Sequence, residues 1–193
     1  MKPMTENYDG ANEPASYFNG KIIVVDTIDA VDAAVAYLSQ QSILGFDTES
    51  KPAFNSADSR NRKVALLQLA DDKRAYLFRL NKIGFPKQLT KLLGNKQVLK
   101  VGAAILDDIR FLNKLRFFSA ENFLDLQKIV GDYGITQKSL KNMAEIVLQF
   151  HISKGQRLTN WESEQLTAAQ QRYAALDAWV CREIYVKLTE RKK

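Results

Sequence analysis

One cysteine, Cys181, and one histidine, His151, are all that this 193-residue chain has of either type. A lone cysteine permits no internal disulfide and no cysteine-based zinc cluster, which fits a reducing compartment. No continuous apolar segment occupies residues 1–20, so no secretory signal is read there. Nowhere does an apolar run approach the roughly 20 residues of a membrane span. These absences predict a soluble, cytoplasmic protein. Internal repeats and low-complexity tracts are also missing. Residues 1–20 are polar, carry Asn, Pro and Gly, and read as an irregular or mobile leader. Residues 21–193 read as a single domain.

What is present suits a globular domain: 46% hydrophobic and 26% charged residues, on a chain long enough for a substantial core. Lysine and arginine number 28 against 22 acids, for a net charge of +6. If some acids are sequestered at a metal site, the remaining surface is more basic still. Such a surface suits a polyanionic partner, but it also serves plain solubility, and net charge does not separate the two.

Apolar periodicity divides the chain into strands at 21–27, 43–47 and 97–101, and a hairpin of 64–70 with 75–79. Helices are expected at 29–41, 85–93, 104–115, 123–131, 139–148 and 168–190. Residues 50–63 have no apolar period, include Pro52, and read as a loop. The order predicts an α/β fold, a mixed central sheet flanked by helices.

Four acids break these apolar patterns. Strand side chains alternate, so Asp47 and Glu49 project to one side as a two-carboxylate claw, with Thr48 opposite. A lone D-x-E is weak, because a polar strand end entering a loop looks the same. Asp108 lies between Ile105, Ile109, Leu112 and Leu115 on a helical face, whereas its neighbour Asp107 points to solvent. In the last helix, opened by a Thr167–Gln170 capping box, Tyr173, Asp177, Val180, Ile184 and Leu188 share one stripe. A buried Tyr–Asp hydrogen bond would explain that pair without any function. Ionised carboxylates are rarely buried unless paired or metal-bound, so four on three separate elements point to one shared cation site.

Residues 44–49 (LGFDTE), 101–108 (VGAAILDD) and 166–178 (LTAAQQRYAALDA) resemble the three motifs of the DEDD superfamily of 3′-5′ exonucleases. The chain is similar to the exonuclease domain of the Werner-syndrome helicase and, more distantly, to ribonuclease D, over residues 22–190. Tyrosine four residues before the final aspartate, with Arg172 where a histidine would stand, matches the tyrosine subclass (DEDDy). The resemblance implies a ribonuclease-H-like fold and metal-dependent hydrolysis of phosphodiesters from the 3′ end, DNA favoured over RNA. A catalytically silent nucleic-acid-binding or scaffolding module on the same fold is the alternative. Two Mg²⁺ or Mn²⁺ ions are implied, since paired hard cations stabilise both attacking and leaving oxygens and prefer carboxylate ligands. By the same resemblance Asp47 bridges both ions, Glu49 and Asp177 complete the first site, Asp108 holds the second, and Tyr173 orients the attacking water.

Candidate substrate contacts are Thr48, Lys51, Arg60, Arg62 and Lys63 in or beside the claw loop, and Lys154 and Arg157 before the last helix. Trp161 reads as core, Arg110 as exposed, His151 as structural without nearby ligand partners, and Gly102 as strand-to-helix punctuation. The accessory helical domain of ribonuclease D and a helicase are both missing from these residues, so the expected partners are a nucleic acid with a free 3′ end and a helicase or repair protein in trans.

Overall fold

Val64–Ala70 is apolar on both alternating faces except at Gln68, and every residue of it is buried. A strand of that kind belongs inside a sheet covered on both sides. In the computed structural model, which describes residues 17–52, 63–152 and 155–190, it is β3 of one mixed sheet. The other strands are β1 (Lys21–Val25), β2 (Ile43–Ser50), β4 (Arg74–Arg79), β5 (Leu99–Gly102) and β6 (Phe123–Asp125). Their order is β1-β4-β3-β2-β5-β6. The β2–β3 and β3–β4 pairs are antiparallel, and the remaining pairs are parallel.

Helices cover both faces. On one side lie α1 (Ile28–Leu38), α2 (Leu80–Ile83), α3 (Lys87–Leu93) and α4 (Leu106–Leu115), packed on Leu44, Phe46, Leu67, Leu69 and Phe78. On the other lie α5 (Leu126–Ile129), α6 (Leu140–Leu148) and α7 (Ala168–Glu190), packed on Leu66, Ala70, Ala75 and Leu77. The alternation of strand side chains between two cores is what makes the three layers. Each fully buried leucine among them contributes about 1.5–3 kcal/mol relative to exposure.

Several boundaries differ from the sequence reading, each for a local reason. β2 continues past Asp47 to Ser50 because β3 pairs with it, setting Asp47 opposite Gln68 and Glu49 opposite Leu66. The acid claw therefore sits inside a paired strand rather than at a fraying end. Residues 123–125 are strand, not helix: Phe123 and Leu124 pair with Lys100 and Val101, and a three-residue apolar stretch carries no period to tell the two apart. Asp125 then caps α5, accepting from the Gln127 amide at 3.0 Å. α4 begins at Leu106 because Ala104 is left-handed, with φ of 58°, and cannot continue a helix backward.

Asp71 is a buried acid that the sequence left in a hairpin loop. Its Oδ1 accepts from the amides of Lys73 and Arg74 at 2.7 and 2.6 Å, and its Oδ2 from the Tyr37 hydroxyl at 2.5 Å. It closes the β3–β4 turn and ties α1 to it.

Two glycines permit close approaches, one between sheet and helix and one between neighbouring strands. A Cβ on Gly45 would stand 1.7 Å from the Ala178 carbonyl oxygen, so only glycine lets α7 lie this close to β2. One on Gly102 would stand 2.7 Å from the Phe46 carbonyl oxygen. Gly102 is thus a packing requirement between β5 and β2 rather than simple punctuation.

Candidate active site

Contact at Gly45 and Ala178 puts the preceding residue of α7, Asp177, beside the claw on β2. Asp47, Glu49 and Asp177 each offer a carboxylate oxygen, and the three lie within 4.8 Å of one another. Glu49 is 9% exposed and Asp177 6%. Burial pushes the Asp47 carboxyl well above the usual range, and the charges of Asp177, Glu49 and Asp108 push it further. Burial likewise lifts Asp177 to about 7, against a lowering contribution from its hydrogen bond with Tyr173. Three enclosed carboxylates at this spacing cannot all ionise unless a positive charge joins them.

An all-oxygen, all-carboxylate donor set suits a hard divalent cation such as Mg²⁺ or Mn²⁺, and suits soft metals poorly. Asp47, Glu49 and Asp177 are the residues that would hold it.

Asp108 stands apart from that trio. It lies in the first turn of α4, half-buried, and Oγ1 of Thr48 donates to its Oδ1. Thr48 does point away from the claw, as strand alternation requires, and its observed partner is this aspartate. Asp107 is exposed and pairs with Arg110 at 3.2 Å, the solvated arrangement the helical wheel predicts.

Tyr173 is held from two sides. Its hydroxyl shares a hydrogen bond with Asp177, and its ring packs against Trp161 with centroids 6.1 Å apart. Burial first, then the charges of Asp177 and Glu49, push its phenol far above the ordinary tyrosine range. It is a neutral donor at any working pH.

The segment leading into α7 is fastened by residues that sequence reasoning passed over. Arg79 is buried at the end of β4, and its guanidinium donates to the carbonyls of Ser163 and Glu164, the latter at 2.8 Å. The clue was available: Arg79 occupies an inward position of an alternating strand. Lys82 reaches the Glu164 carboxylate at 2.7 Å. The Thr167–Gln170 capping box forms as expected, Gln170 N–H donating to Thr167 Oγ1 at 3.2 Å and Thr167 N–H to Gln170 Oε1 at 3.0 Å. Gln170 Nε2 also donates to Thr159 Oγ1 at 2.9 Å, so the same side chain anchors the incoming loop.

Of the candidate substrate contacts, Lys51 is exposed and lies 3.9 Å from Glu162, bringing the claw loop to the segment before α7. Lys63 and Arg157 are exposed. Arg60, Arg62 and Lys154 lie outside the described residues. Trp161 is core, as expected. His151 does have an acidic neighbour, contrary to the expectation: its Nδ1 is 3.1 Å from Glu145 Oε1, one turn of chain that the sequence leaves invisible because Gln149 is left-handed and folds His151 back onto α6.

With this geometry in hand, similarity to known proteins is specific. A sequence model described as 3′-5′ exonuclease matches residues 22–192. The mouse bifunctional 3′-5′ exonuclease/ATP-dependent helicase WRN is 32% identical over 157 residues, covering 78% of this chain and 11% of that protein. The crystal structure of the Nibbler EXO domain from Aedes aegypti superposes with a TM-score of 0.82 at 25% identity, over 92% of each chain. RNase D of Escherichia coli, described as an exoribonuclease, superposes with a TM-score of 0.78 at 22% identity, over 89% of this chain and 44% of that one. The chain spans less than half the length of the curated relatives it matches first.

Proposed function

The chain belongs to the 3′-5′ exonuclease family, and from that premise we propose that it removes nucleotides from the 3′ end of a nucleic acid by metal-dependent hydrolysis, as a tyrosine-subclass member. The observation that carries this reading is the trio of Asp47, Glu49 and Asp177 oxygens within 4.8 Å of one another. Two Mg²⁺ or Mn²⁺ ions are proposed: Asp47, Glu49 and Asp177 would hold the first, and Asp108 together with Asp47 would hold the second. The ions would supply neutralisation of the phosphate charge and of the charge developing on the attacking and leaving oxygens.

The remaining work falls to the chain. Tyr173, a phenol whose ordinary pKa of about 10 already keeps it protonated near neutral pH and which burial holds further toward the neutral form, orients the attacking water through its hydroxyl instead of removing its proton. Trp161 holds the tyrosine ring in place. Thr48 keeps the Asp108 carboxylate turned toward β2. Water adds to phosphorus and the bond to the upstream O3′ breaks, giving a nucleoside 5′-monophosphate and a chain shorter by one with a free 3′ hydroxyl. Lys51, Lys63 and Arg157 are proposed phosphate contacts, as exposed cations on the segments flanking the site.

DNA is the proposed substrate, on the strength of the sequence resemblance; the kinship with an exoribonuclease at 22% identity carries the fold only. A helicase or repair protein is proposed to present the 3′ end in trans. The test is digestion of matched 5′-labelled DNA and RNA oligonucleotides with Mg²⁺ or Mn²⁺, with and without chelator. A metal-dependent ladder on DNA, absent in Asp47→Ala, is expected. A gel shift without products in any condition refutes the enzymatic reading, and a faster ladder on RNA refutes the substrate.

A further inference from the structure

Gln68 lies at the middle of β3, directly opposite Asp47 on β2 and Leu77 on β4. Directly opposed residues share a sheet face, with Cβ atoms about 4.5–5.5 Å apart. That face is the one covered by α7, since Leu66, Ala70 and Leu77 around Gln68 pack in one cluster with Ala174 and Ala178. Gln68 is 0% exposed. No described residue hydrogen-bonds its Oε1 or its Nε2.

A buried amide with both ends unpaired is destabilising, and a leucine or methionine would fill the same space without that cost. All the other residues of β3 are Val, Ala or Leu. The polar group across the ladder is the Asp47 carboxyl, and Gln68 is the polar side chain that β3 places on its side of the cluster.

We propose that Gln68 is a positioning residue for Asp47: its Nε2 donates to the Asp47 carboxylate when a divalent cation occupies the cluster, fixing that ligand's orientation from behind. An ionised carboxylate has about four acceptor positions, so a donor from β3 and a cation on the open side do not compete. Ligating carboxylates are generally hydrogen-bonded in turn, and losing such a partner typically weakens metal binding about 10–100-fold. The proposal rests on the exonuclease reading above and adds a residue to it that none of the three motifs contains.

The experiment compares wild type with Gln68→Met, which keeps the length and removes the amide. Calorimetric titration with Mn²⁺ is expected to show affinity at least about 10-fold weaker in the variant. Its melting temperature without metal is expected to be equal or higher, because an unpaired buried amide has been removed. A purely structural role predicts the reverse, a lower metal-free melting temperature with unchanged Mn²⁺ affinity, and that result overturns the proposal. A second measurement needs no variant. In ¹⁵N-labelled wild type, the assigned Gln68 side-chain amide is expected to shift on Mg²⁺ addition; an unmoved signal at saturation overturns the proposal too. Wild type that takes up neither ion brings down the exonuclease reading itself, an outcome distinct from a loss confined to the variant.

Discussion

Asp177 is raised to about 7 in the folded protein from an ordinary 3.8, chiefly by burial. A folded-state pKa above the unfolded one means that the native protein binds the proton more tightly. Stability then falls as pH climbs through the interval between those two values, and is greatest below it. The metal-free protein should accordingly melt at a lower temperature at pH 7.5 than at pH 5, and saturating Mg²⁺ or Mn²⁺ at pH 7.5 should restore the loss, since a ligand that binds only the native state adds to its stability. Thermal melts across pH with and without cation check both halves. Asp47 follows the same logic, raised first by burial and then by the charges of Asp177, Glu49 and Asp108. Asp47→Asn should abolish turnover and yet raise the metal-free melting temperature at pH 7.5. Tyr173→Phe, which keeps the ring on Trp161 and deletes the hydroxyl, should slow turnover by about 10–100-fold, the worth of one hydrogen bond to a charged group. Single-turnover digestion rates distinguish that partial loss from the complete one.

At the scale of the element, the pairing of β2 with α7 decides the site. Gly45→Ala places a methyl group against the Ala178 carbonyl, and overpacking of that kind costs about 1–3 kcal/mol, or displaces the helix. Displacement carries Asp177 away from Asp47 and Glu49, so the substitution should weaken Mn²⁺ binding while leaving every ligand in the chain; calorimetry on the folded variant reads this directly. Both elements were legible in the sequence, because their signals are local: a near-continuous apolar run for β2, and a capping box followed by a 3.6-residue stripe for α7. The strand at Phe123–Asp125 was not, since three residues carry too little period and its pairing with β5 is a tertiary fact. Asp71 was hidden for a related reason. Its carboxylate is hydrogen-bonded by the hydroxyl of Tyr37, 34 residues earlier, across a turn that looks solvent-exposed by composition. The helical wheel placed Asp108 on the inward side, but could not say that Thr48 meets it there, because that contact spans two elements. Gly45 was readable only as a strand glycine until α7 was seen to lie across it.

For the molecule as a whole, net charge is +6, while the three clustered acids draw together in one partly to fully buried group. Cations such as Lys51, Lys63 and Arg157 remain on the surface. Binding of a single-stranded oligonucleotide should therefore weaken steeply with salt, with log affinity against log salt concentration falling by about 0.7 for each phosphate neutralised. Fluorescence anisotropy in Ca²⁺ or chelator, where no cleavage intervenes, measures the slope; a flat line would mean that the basic surface serves solubility alone.

The strand carrying Asp47 and Glu49 is an interior one, paired with β5 through Ile43–Gly45 and with β3 along the acids themselves, whereas β1 and β6 form the rims. Interior strands surrender their amide protons to deuterium last, because those bonds open only when the whole domain comes apart. Asp47 and Glu49 are held along their ladder with β3, and Asp177 comes to them on a separate element, α7. Mutually repelling groups fixed on a paired strand and on the helix packed across it cannot simply swing apart, so they stay poised for a cation.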